Sequence, residues 1–169
     1  MPWYGYHSYL NDFIKENRCR KVMEIGVYNG ENALSMVKSA AQFSPSNRVE
    51  YYGFDFFYYY SRDAIGKKLK KTGCRYKLFE GDTLETLPKN INSLPLMDLI
   101  FIDGGKSYTV AKSDWEYSRT LMHNATGLFV HNIGYQGVNR VINEIPGNEY
   151  TVERFYEPSE GSVALITRK

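Results

Sequence analysis

MEIGVYNGEN, residues 23–32, joins the end of a hydrophobic run to a helix-like pattern through two glycines, Gly26 and Gly30. Glycine-rich turns between a strand and a helix commonly hold an anionic cofactor, because their backbone amides can approach a phosphate group. This turn lacks the third glycine of the dinucleotide fingerprint, and it follows a carboxylate, Glu24, that would repel phosphate. The stretch therefore predicts a strand, a tight turn and a helix that bind something other than a pyrophosphate.

Strand-like and helix-like patterns alternate along the whole chain. Five hydrophobic runs are each followed by a helix-like segment, and they read KVMEIG, VEYYGFD, RYKLFEGD, LMDLIFIDGG and GLFVHNIG. Two further strands, EYTVERFYE and GSVALITR, are joined by the hairpin signal PSEG. Five strand–helix units predict an α/β fold, a parallel sheet with helices on both faces, to which the hairpin adds an antiparallel edge. We expect one domain over residues 1–169, with an N-terminal helix and an aromatic segment in residues 1–20.

Composition narrows the class of protein. The net charge of +2 is too small for an extended nucleic-acid footprint, so a nucleic-acid partner is not expected. The two cysteines, Cys19 and Cys74, are too few for a disulfide framework and favour a reducing compartment. The chain start lacks the pattern of a signal peptide, and no apolar run approaches the length of a membrane span. We expect a cytoplasmic protein with no membrane partner.

Acidic residues close four successive predicted strands: Glu24, Asp55, Asp82 and Asp103. In open parallel sheets, ligands bind beyond the carboxyl ends of the strands, so these four carboxylates are expected at one edge. Such an edge would repel a pyrophosphate and favour a cationic ligand with several hydroxyl or amine donors. S-Adenosylmethionine is a ligand of that kind, since it carries a sulfonium, an ammonium, a ribose diol and an adenine amine.

The chain resembles the class I S-adenosylmethionine-dependent methyltransferases, and more narrowly their small-molecule O-methyltransferase-like group. That group has E-I-G-x-x-x-G and F-I-D-G-G-H-S-Y signatures, matched here by MEIGVYNGENA and DLIFIDGGKSYTVAKSDWE, with further matches at YYGFD and FEGD. The resemblance implies a Rossmann-like, seven-stranded, mostly parallel sheet in the order 3-2-1-4-5-7-6, with strand 7 antiparallel. It also implies S-adenosylmethionine as the cofactor and O-methylation of a small hydroxylated acceptor.

The same resemblance assigns cofactor-binding roles to six residues. They are Glu24, Gly26 and Gly30 at the methionine end, Asp55 at the ribose, Asp82 at the adenine, and Asp103 beside the transferred methyl group.

The sequence departs from the family pattern at two positions near the expected reaction site. Lys106 replaces the histidine of the strand-4 block. After strand 5, relatives often carry an acid pair or H-D, which holds a divalent metal together with the strand-4 Asp, whereas this chain has His131-Asn132. Magnesium prefers carboxylate and carbonyl oxygen, and a nearby lysine would oppose any cation. We therefore expect no metal, and we consider Asp103, Lys106 and His131 the catalytic residues. Lys106 could stabilise a developing oxyanion, and either Lys106 or His131 could take the acceptor proton.

Five consecutive aromatic residues, 56–60, follow the strand-2 carboxylate in FDFFYYYSRD. Exposing five rings is costly, so they could cover the cofactor, line an acceptor pocket, pack on the domain's own helices or contact a second subunit. A homodimer could then supply part of the pocket. The ring-rich N-terminal segment PWYGYHSY could reach the same edge.

Two other functions remain open from the sequence. YTVAK, residues 108–112, satisfies the Y-x-x-x-K pattern of a nicotinamide-dependent reductase, although the glycine loop does not fit that class. Lys106 and Asn132 are also compatible with a catalytically degenerate module that only binds S-adenosylmethionine.

Overall fold

The computed structural model describes residues 7–169, in which strands and helices alternate. The strands are β1 (Lys21–Ile25), β2 (Glu50–Asp55), β3 (Arg75–Glu80), β4 (Met97–Ile102), β5 (Met122–His131), β6 (Tyr150–Glu157) and β7 (Gly161–Arg168). The helices are α1 (Ser8–Asn17), α2 (Glu31–Ala40), α3 (Arg62–Lys70), α4 (Thr83–Asn90), α5 (Tyr108–Ser118) and α6 (Gln136–Asn143). Single 3-10 turns cover Ser46–Arg48, Ile91–Ser93 and Arg119–Leu121.

The sheet has the strand order β3-β2-β1-β4-β5-β7-β6. Strands β1 to β5 pair in parallel, whereas β7 is antiparallel to both β5 and β6. The predicted order and the predicted antiparallel hairpin are both confirmed. The direction of winding reverses between β1 and β4, which makes the carboxyl ends of these two strands the switch point of the sheet.

Alternating side chains of the central strands supply two hydrophobic cores, one on each face of the sheet. Met23 and Ile25 belong to the core that α4, α5 and α6 cover, where Trp115 of α5 is buried. Val22 belongs to the opposite core, which α1, α2 and α3 cover and where Met36 of α2 is buried. The burial of the central strands on both faces explains their nearly continuous hydrophobic sequences.

The predicted N-terminal helix is α1, and His7 precedes its first residue. Residues 1–6, which hold most of the predicted aromatic segment, lie outside the described residues. No helix between residues 7 and 169 has the length and apolar character needed to cross a membrane.

The turn after β1 brings the backbone of β1 and β4 into close contact. Gly26 has φ +90°, and a β-carbon there would overlap the carbonyl of Asp103, with the carbonyl carbon only 2.8 Å away. Gly30 also has positive φ, +78°, and it caps the N-terminus of α2. The two glycines of the opening motif therefore let β1 turn sharply at the switch point while α2 begins on one face of the sheet.

Replacing Gly26 by alanine is expected to lower the free energy of unfolding by about 2 kcal/mol or more, because the β-carbon adds backbone strain and a backbone overlap. Urea denaturation would measure the change. Gly147→Ala is the matched control, since a β-carbon there meets nothing within 4 Å, and it should change stability by less than about 0.5 kcal/mol. Equal effects of the two substitutions would contradict this account of the β1 turn.

Candidate functional site

A pocket of about 590 Å³ opens at the carboxyl ends of the central strands. This volume is in the range of small-molecule and cofactor sites. Five of the six predicted cofactor-binding residues line the pocket, and they are Glu24, Gly26, Asp55, Asp82 and Asp103. Gly30 does not line it but packs beside Ile65 of α3, which indicates an indirect role in shaping the loop.

Glu24 is buried at the floor of the pocket. It accepts hydrogen bonds from Nδ2 of Asn32, at 2.8 Å, and from the hydroxyl of Tyr51. Burial raises the pKa of Glu24 to about 8, because loss of hydration outweighs the two hydrogen bonds. The carboxyl therefore retains a proton near neutral pH unless a cation binds beside it.

Asp55 ties two pocket loops together through backbone amides. Its Oδ2 accepts from the amides of Val27 and Tyr28, at 2.8 and 2.9 Å, and its Oδ1 accepts from the amide of Phe57 at 2.8 Å. Tyr28 and Phe57 both have positive φ, 51° and 57°. The carboxylate thus stabilises an unfavourable backbone conformation in both loops. A carboxylate has about four lone-pair sites, so one acceptor position remains for a ligand.

Asp82 lines the pocket on the α4 side, and Asp114 lies buried behind the neighbouring Gly104 turn. Asp82 caps α4 by accepting from the amide of Leu84 at 2.9 Å. Asp114 of α5 is fully buried beneath the Gly104 turn, where a β-carbon on Gly104 would come within 3.1 Å of its Oδ2. Burial raises the pKa of Asp114 to about 7, and the charge of Asp82 acts in the same direction.

Asp103 is the centre of a polar cluster where β4 and β5 end. Its Oδ1 lies 2.6 Å from Nζ of Lys106, 3.1 Å from Nδ1 of His131 and 3.4 Å from Nδ2 of Asn132. Burial alone would raise the pKa of Asp103, but the contacts with His131 and Lys106 lower it below its ordinary value. The structure therefore brings the three residues predicted as catalytic into one cluster.

Lys106 and His131 also border a small adjoining cavity of about 10 Å³ beneath Gly104 and Gly105. The ring of His131 donates from Nε2 to the carbonyl of Glu160, in the turn between β6 and β7. The hairpin at the end of the chain therefore contributes to the arrangement of the site.

His7 is a site residue that the sequence reasoning did not single out. It is only 6% exposed, yet it lines the pocket. Its ring packs edge-on against His131, with centroids 4.7 Å apart, and its Nδ1 lies 3.0 Å from the hydroxyl of Tyr9. Burial, and next the charge of His131, lower the pKa of His7 to about 4. The only signal in the sequence was the ring-rich N-terminal segment, whose predicted approach to this edge is confirmed at His7.

Aromatic side chains form one side of the pocket mouth. Tyr59 is 85% exposed, and it lines the mouth together with Tyr28, Phe56 and Tyr60. Tyr58 is 80% exposed and stacks on Phe56. Phe57, by contrast, is buried in the core between the sheet and α1 to α3. Burial against the domain's own helices therefore applies to one ring of the five, and the other four are at the surface.

A family model described as a methyltransferase domain matches residues 23–133, about two thirds of the chain. The chain belongs to the class I S-adenosylmethionine-dependent methyltransferases. Membership in this family argues against the nicotinamide-dependent reductase. The position of the Y-x-x-x-K motif argues against it as well. Tyr108 and Lys112 both bind Glu144 on the α5–α6 surface and do not line the pocket.

Solved methyltransferase structures share this fold at low sequence identity. The O-methyltransferase TomG from Streptomyces achromogenes, in complex with S-adenosylmethionine, matches with a TM-score of 0.75 and 14% identity over 95% of this chain and 78% of that one. The O-methyltransferase from Bacillus cereus, in complex with S-adenosylhomocysteine, has a TM-score of 0.76 and 16% identity, over 95% of this chain and 79% of that one. The S-adenosylhomocysteine-bound methyltransferase PaMTH1 from Podospora anserina has a TM-score of 0.70 and 19% identity, over 96% of this chain and 77% of that one. No curated protein sequence matches the chain.

The polar cluster of this methyltransferase also offers atoms that could ligate a metal. One ligand atom each of His7, Asp103 and His131 lies within 4.8 Å of the others. Two imidazoles and one carboxylate are a poor donor set for magnesium. Moreover, the ammonium of Lys106 lies 2.6 Å from Asp103 and would oppose a cation there. The geometry therefore favours a metal-free site, which stays a prediction.

The raised pKa of Glu24 predicts a pH-dependent stability. Between the ordinary Glu pKa of 4.5 and the raised value of about 8, the folded protein holds a proton that the unfolded chain has lost. Stability must therefore fall as pH rises through this window. Glu24→Gln removes the titration, so the unfolding free energy of the parent relative to this variant should decline between pH 5 and pH 8.

Urea denaturation at a series of pH values would test this expectation. Glu85→Gln is the control, because Glu85 is exposed in the first turn of α4. The parent and the Glu85→Gln variant should show the same pH dependence. Parallel curves for the parent and Glu24→Gln would refute the assignment of a buried proton to Glu24.

Proposed function

We propose that this methyltransferase binds S-adenosylmethionine in the 590 Å³ pocket and transfers its methyl group to a hydroxyl of a small acceptor. The observation that carries the proposal is the convergence of four strand-end acids, Glu24, Asp55, Asp82 and Asp103, on one pocket. A cationic ligand fits such a pocket, because Glu24 can give up its proton when a cation binds beside it. The family to which the chain belongs and the cofactor-bound relatives with this fold support the same cofactor.

The parts of the cofactor can be matched to the pocket residues. Glu24 and the backbone at Gly26 are proposed to hold the methionine end, where the ligand's ammonium would draw Glu24 into its charged form and release its proton. Asp55 is proposed to accept a hydrogen bond from the ribose on its remaining lone pair. Asp82, next to the mouth of the pocket, is proposed to accept from the adenine amine.

The methyl group would then lie near Asp103, at the polar cluster with Lys106 and His131. Methyl transfer from a sulfonium is an in-line displacement, so the site must align the acceptor oxygen, the methyl carbon and the sulfur. The ammonium of Lys106 could stabilise negative charge as it develops on the acceptor oxygen, while Asp103 holds that ammonium in place at 2.6 Å. This arrangement would supply, without a metal, the positive charge that the reaction requires.

The aromatic rim is proposed to contact the acceptor. Phe56 and Tyr59 line the mouth with aromatic rings, and such rings suit hydroxylated aromatic or sugar acceptors. The solved structures with this fold include CalS11, a TDP-rhamnose 3'-O-methyltransferase of calicheamicin biosynthesis, which supports a small-molecule acceptor. The same rim could instead meet a second subunit, which leaves the homodimer as a prediction.

A catalytically degenerate binding module is the second candidate, because Lys106 and Asn132 occupy positions where relatives carry other residues. The two candidates share cofactor binding and differ in turnover. A screen of hydroxylated aromatics and sugars with methyl-labelled S-adenosylmethionine separates them. Transfer of label to an acceptor supports the enzyme, and binding of S-adenosylhomocysteine with no transfer across the screen supports the module.

Asp55→Ala should weaken S-adenosylhomocysteine binding at least tenfold in calorimetry. Losing a charge-assisted hydrogen bond costs about 1.5–3 kcal/mol, and the two loops also lose their shared anchor. Amide exchange at Val27 and Phe57 should therefore accelerate as well. Asp63→Ala is the control, because Asp63 is exposed on α3 and does not line the pocket. Unchanged affinity in Asp55→Ala would remove the strand-2 carboxylate from the site.

EDTA should leave both S-adenosylhomocysteine affinity and turnover unaltered, because Lys106 already supplies the positive charge at Asp103. Calorimetry and the label-transfer assay, each with EDTA and with added magnesium, would measure this. A magnesium-dependent rise in turnover that disappears in Asp103→Asn would show that the site uses a metal.

Lys106→Met should lower kcat by about 10²–10³ with little change in cofactor affinity, since it removes a charge that acts on the transition state. Lys106→His, which restores the residue of the family signature, should retain partial activity. The control is Lys89→Met, an exposed position at the end of α4. Turnover of Lys106→Met at the parent rate would make Lys106 a bystander at the site.

A further inference from the structure

We infer that His7 is the general base of the proposed methyl transfer and takes the hydroxyl proton of the acceptor on its Nε2 atom. This inference rests on the proposed function, and it assigns the proton transfer to a residue outside the strand ends.

His7 lies at the reaction end of the pocket. It lines the same pocket as Asp103, and one of its ring nitrogens is within 4.8 Å of ligand atoms of Asp103 and His131. Its ring is fixed between Phe101 and His131, with centroid distances of 4.9 and 4.7 Å. A base must approach the acceptor hydroxyl directly, and this position allows it.

The other polar groups at this end are already engaged within the described residues. The ammonium of Lys106 is bound to Asp103, and it has no lone pair while it is charged. Nε2 of His131 donates to the carbonyl of Glu160, so a neutral ring keeps its lone pair on Nδ1, which is buried 3.1 Å from Asp103 and is not open to an acceptor. Oδ1 of Asp103 accepts from Lys106 and Asn132. Oδ2 of Asp103 keeps its lone pairs, but the pKa of this carboxyl is lowered below its ordinary value of 3.8 by His131 and Lys106, which makes it a weaker base than His7.

The contact with Tyr9 occupies Nδ1 of His7, which leaves Nε2 as the nitrogen for the acceptor. Tyr9 is buried, and burial raises its pKa far above the usual value, with Asp103, Glu160 and Glu157 adding to the effect. It therefore stays a neutral phenol, whose oxygen can accept the Nδ1–H of His7 at 3.0 Å. The lowered pKa of His7 keeps the ring neutral, and in the proposed tautomer its proton is on Nδ1 and its lone pair on Nε2.

Glu160, in the β6–β7 turn, helps to hold His7 and His131 in place. Its side chain accepts from the amide of Ser8 at 3.1 and 3.2 Å, and its carbonyl accepts from His131. One residue thus joins the first turn of α1, which carries His7, to the end of β5. The charged or titratable groups around His7 are Asp103, His131, Lys106, Tyr9, Glu157 and Glu160.

The proposed step is balanced. The acceptor oxygen forms a bond to the methyl carbon as the carbon–sulfur bond breaks, and sulfur keeps that electron pair as the neutral thioether. The acceptor O–H bond breaks, and the proton moves to Nε2 of His7. The positive charge thus passes from the sulfonium to an imidazolium near the Asp103 carboxylate, which later releases the proton to water.

Nitrogen-15 NMR of histidine-labelled protein tests the assignment without an acceptor. The chain has only three histidines, so His7→Gln, His123→Gln and His131→Gln assign every ring. With S-adenosylhomocysteine bound at neutral pH, we expect His7 as the Nδ1–H tautomer with an unprotonated Nε2, and His7 signals that shift when the ligand binds. A protonated Nε2 on His7 would overturn the inference, even if the His7→Gln variant failed to fold.

Kinetics give the second arm, with the acceptor found in the label-transfer screen. His7→Gln should lower kcat by about 10²–10⁴-fold. Its dissociation constant for S-adenosylhomocysteine should stay within about threefold of the parent's. The pH–rate profile of the variant should lose the rise in rate that follows deprotonation of the base. His123→Gln is the control, because His123 pairs with Asp98 away from the pocket. Parent-like turnover in His7→Gln would refute His7 alone, whereas failure of the parent to bind S-adenosylhomocysteine would refute the proposed function.

Discussion

The site depends on one close backbone approach, in which Gly26 at the end of β1 lies against the carbonyl of Asp103 at the end of β4. The amide of Asp103 donates to Ile25 at 2.8 Å, and the amide of Gly26 donates to Phe54 at 2.9 Å. Three strand ends are therefore held together at the point where the sheet changes its direction of winding. A side chain at Gly26 would separate them, and the pocket floor and the polar cluster would move apart with the strands.

The acidic residues around this point differ in burial and in hydrogen-bond partners, and their pKa values differ accordingly. Glu24 and Asp114 are buried, and burial raises the pKa of each toward or above neutrality. Asp103 is also largely buried, but Lys106 and His131 reverse the effect and lower its pKa. Asp55 is engaged by three backbone amides and braces two loops with positive φ. Asp103 is thus ionised at the reaction end of the pocket, whereas Glu24, at the pocket floor, holds a proton that a bound cation would displace.

The fold was predictable from the sequence because its determinants are local. The runs around Glu24, Asp55 and Asp103 carry the hydrophobic patterns of buried strands, and parallel strands must place their carboxyl ends at one edge. The strand order needed the family resemblance, since periodicity does not specify which strands are neighbours. The second role of Asp55, as a loop anchor, depends on positive φ at Tyr28 and Phe57, two aromatic residues that do not favour such a conformation.

The part of the site that sequence patterns missed is the part assembled from the two ends of the chain. His7 and Glu160 are 153 residues apart, and each is an ordinary polar residue in a loop. They meet because α1 packs on the same face as α2 and because β7 inserts between β5 and β6, which carries the β6–β7 turn back to the end of β5. The first turn of α1 and the β6–β7 turn thereby border the reaction end of the pocket together. The ammonium of Lys106 supplies at Asp103 a positive charge that a metal would otherwise bring. Unlike a metal, it requires no further ligands from the chain.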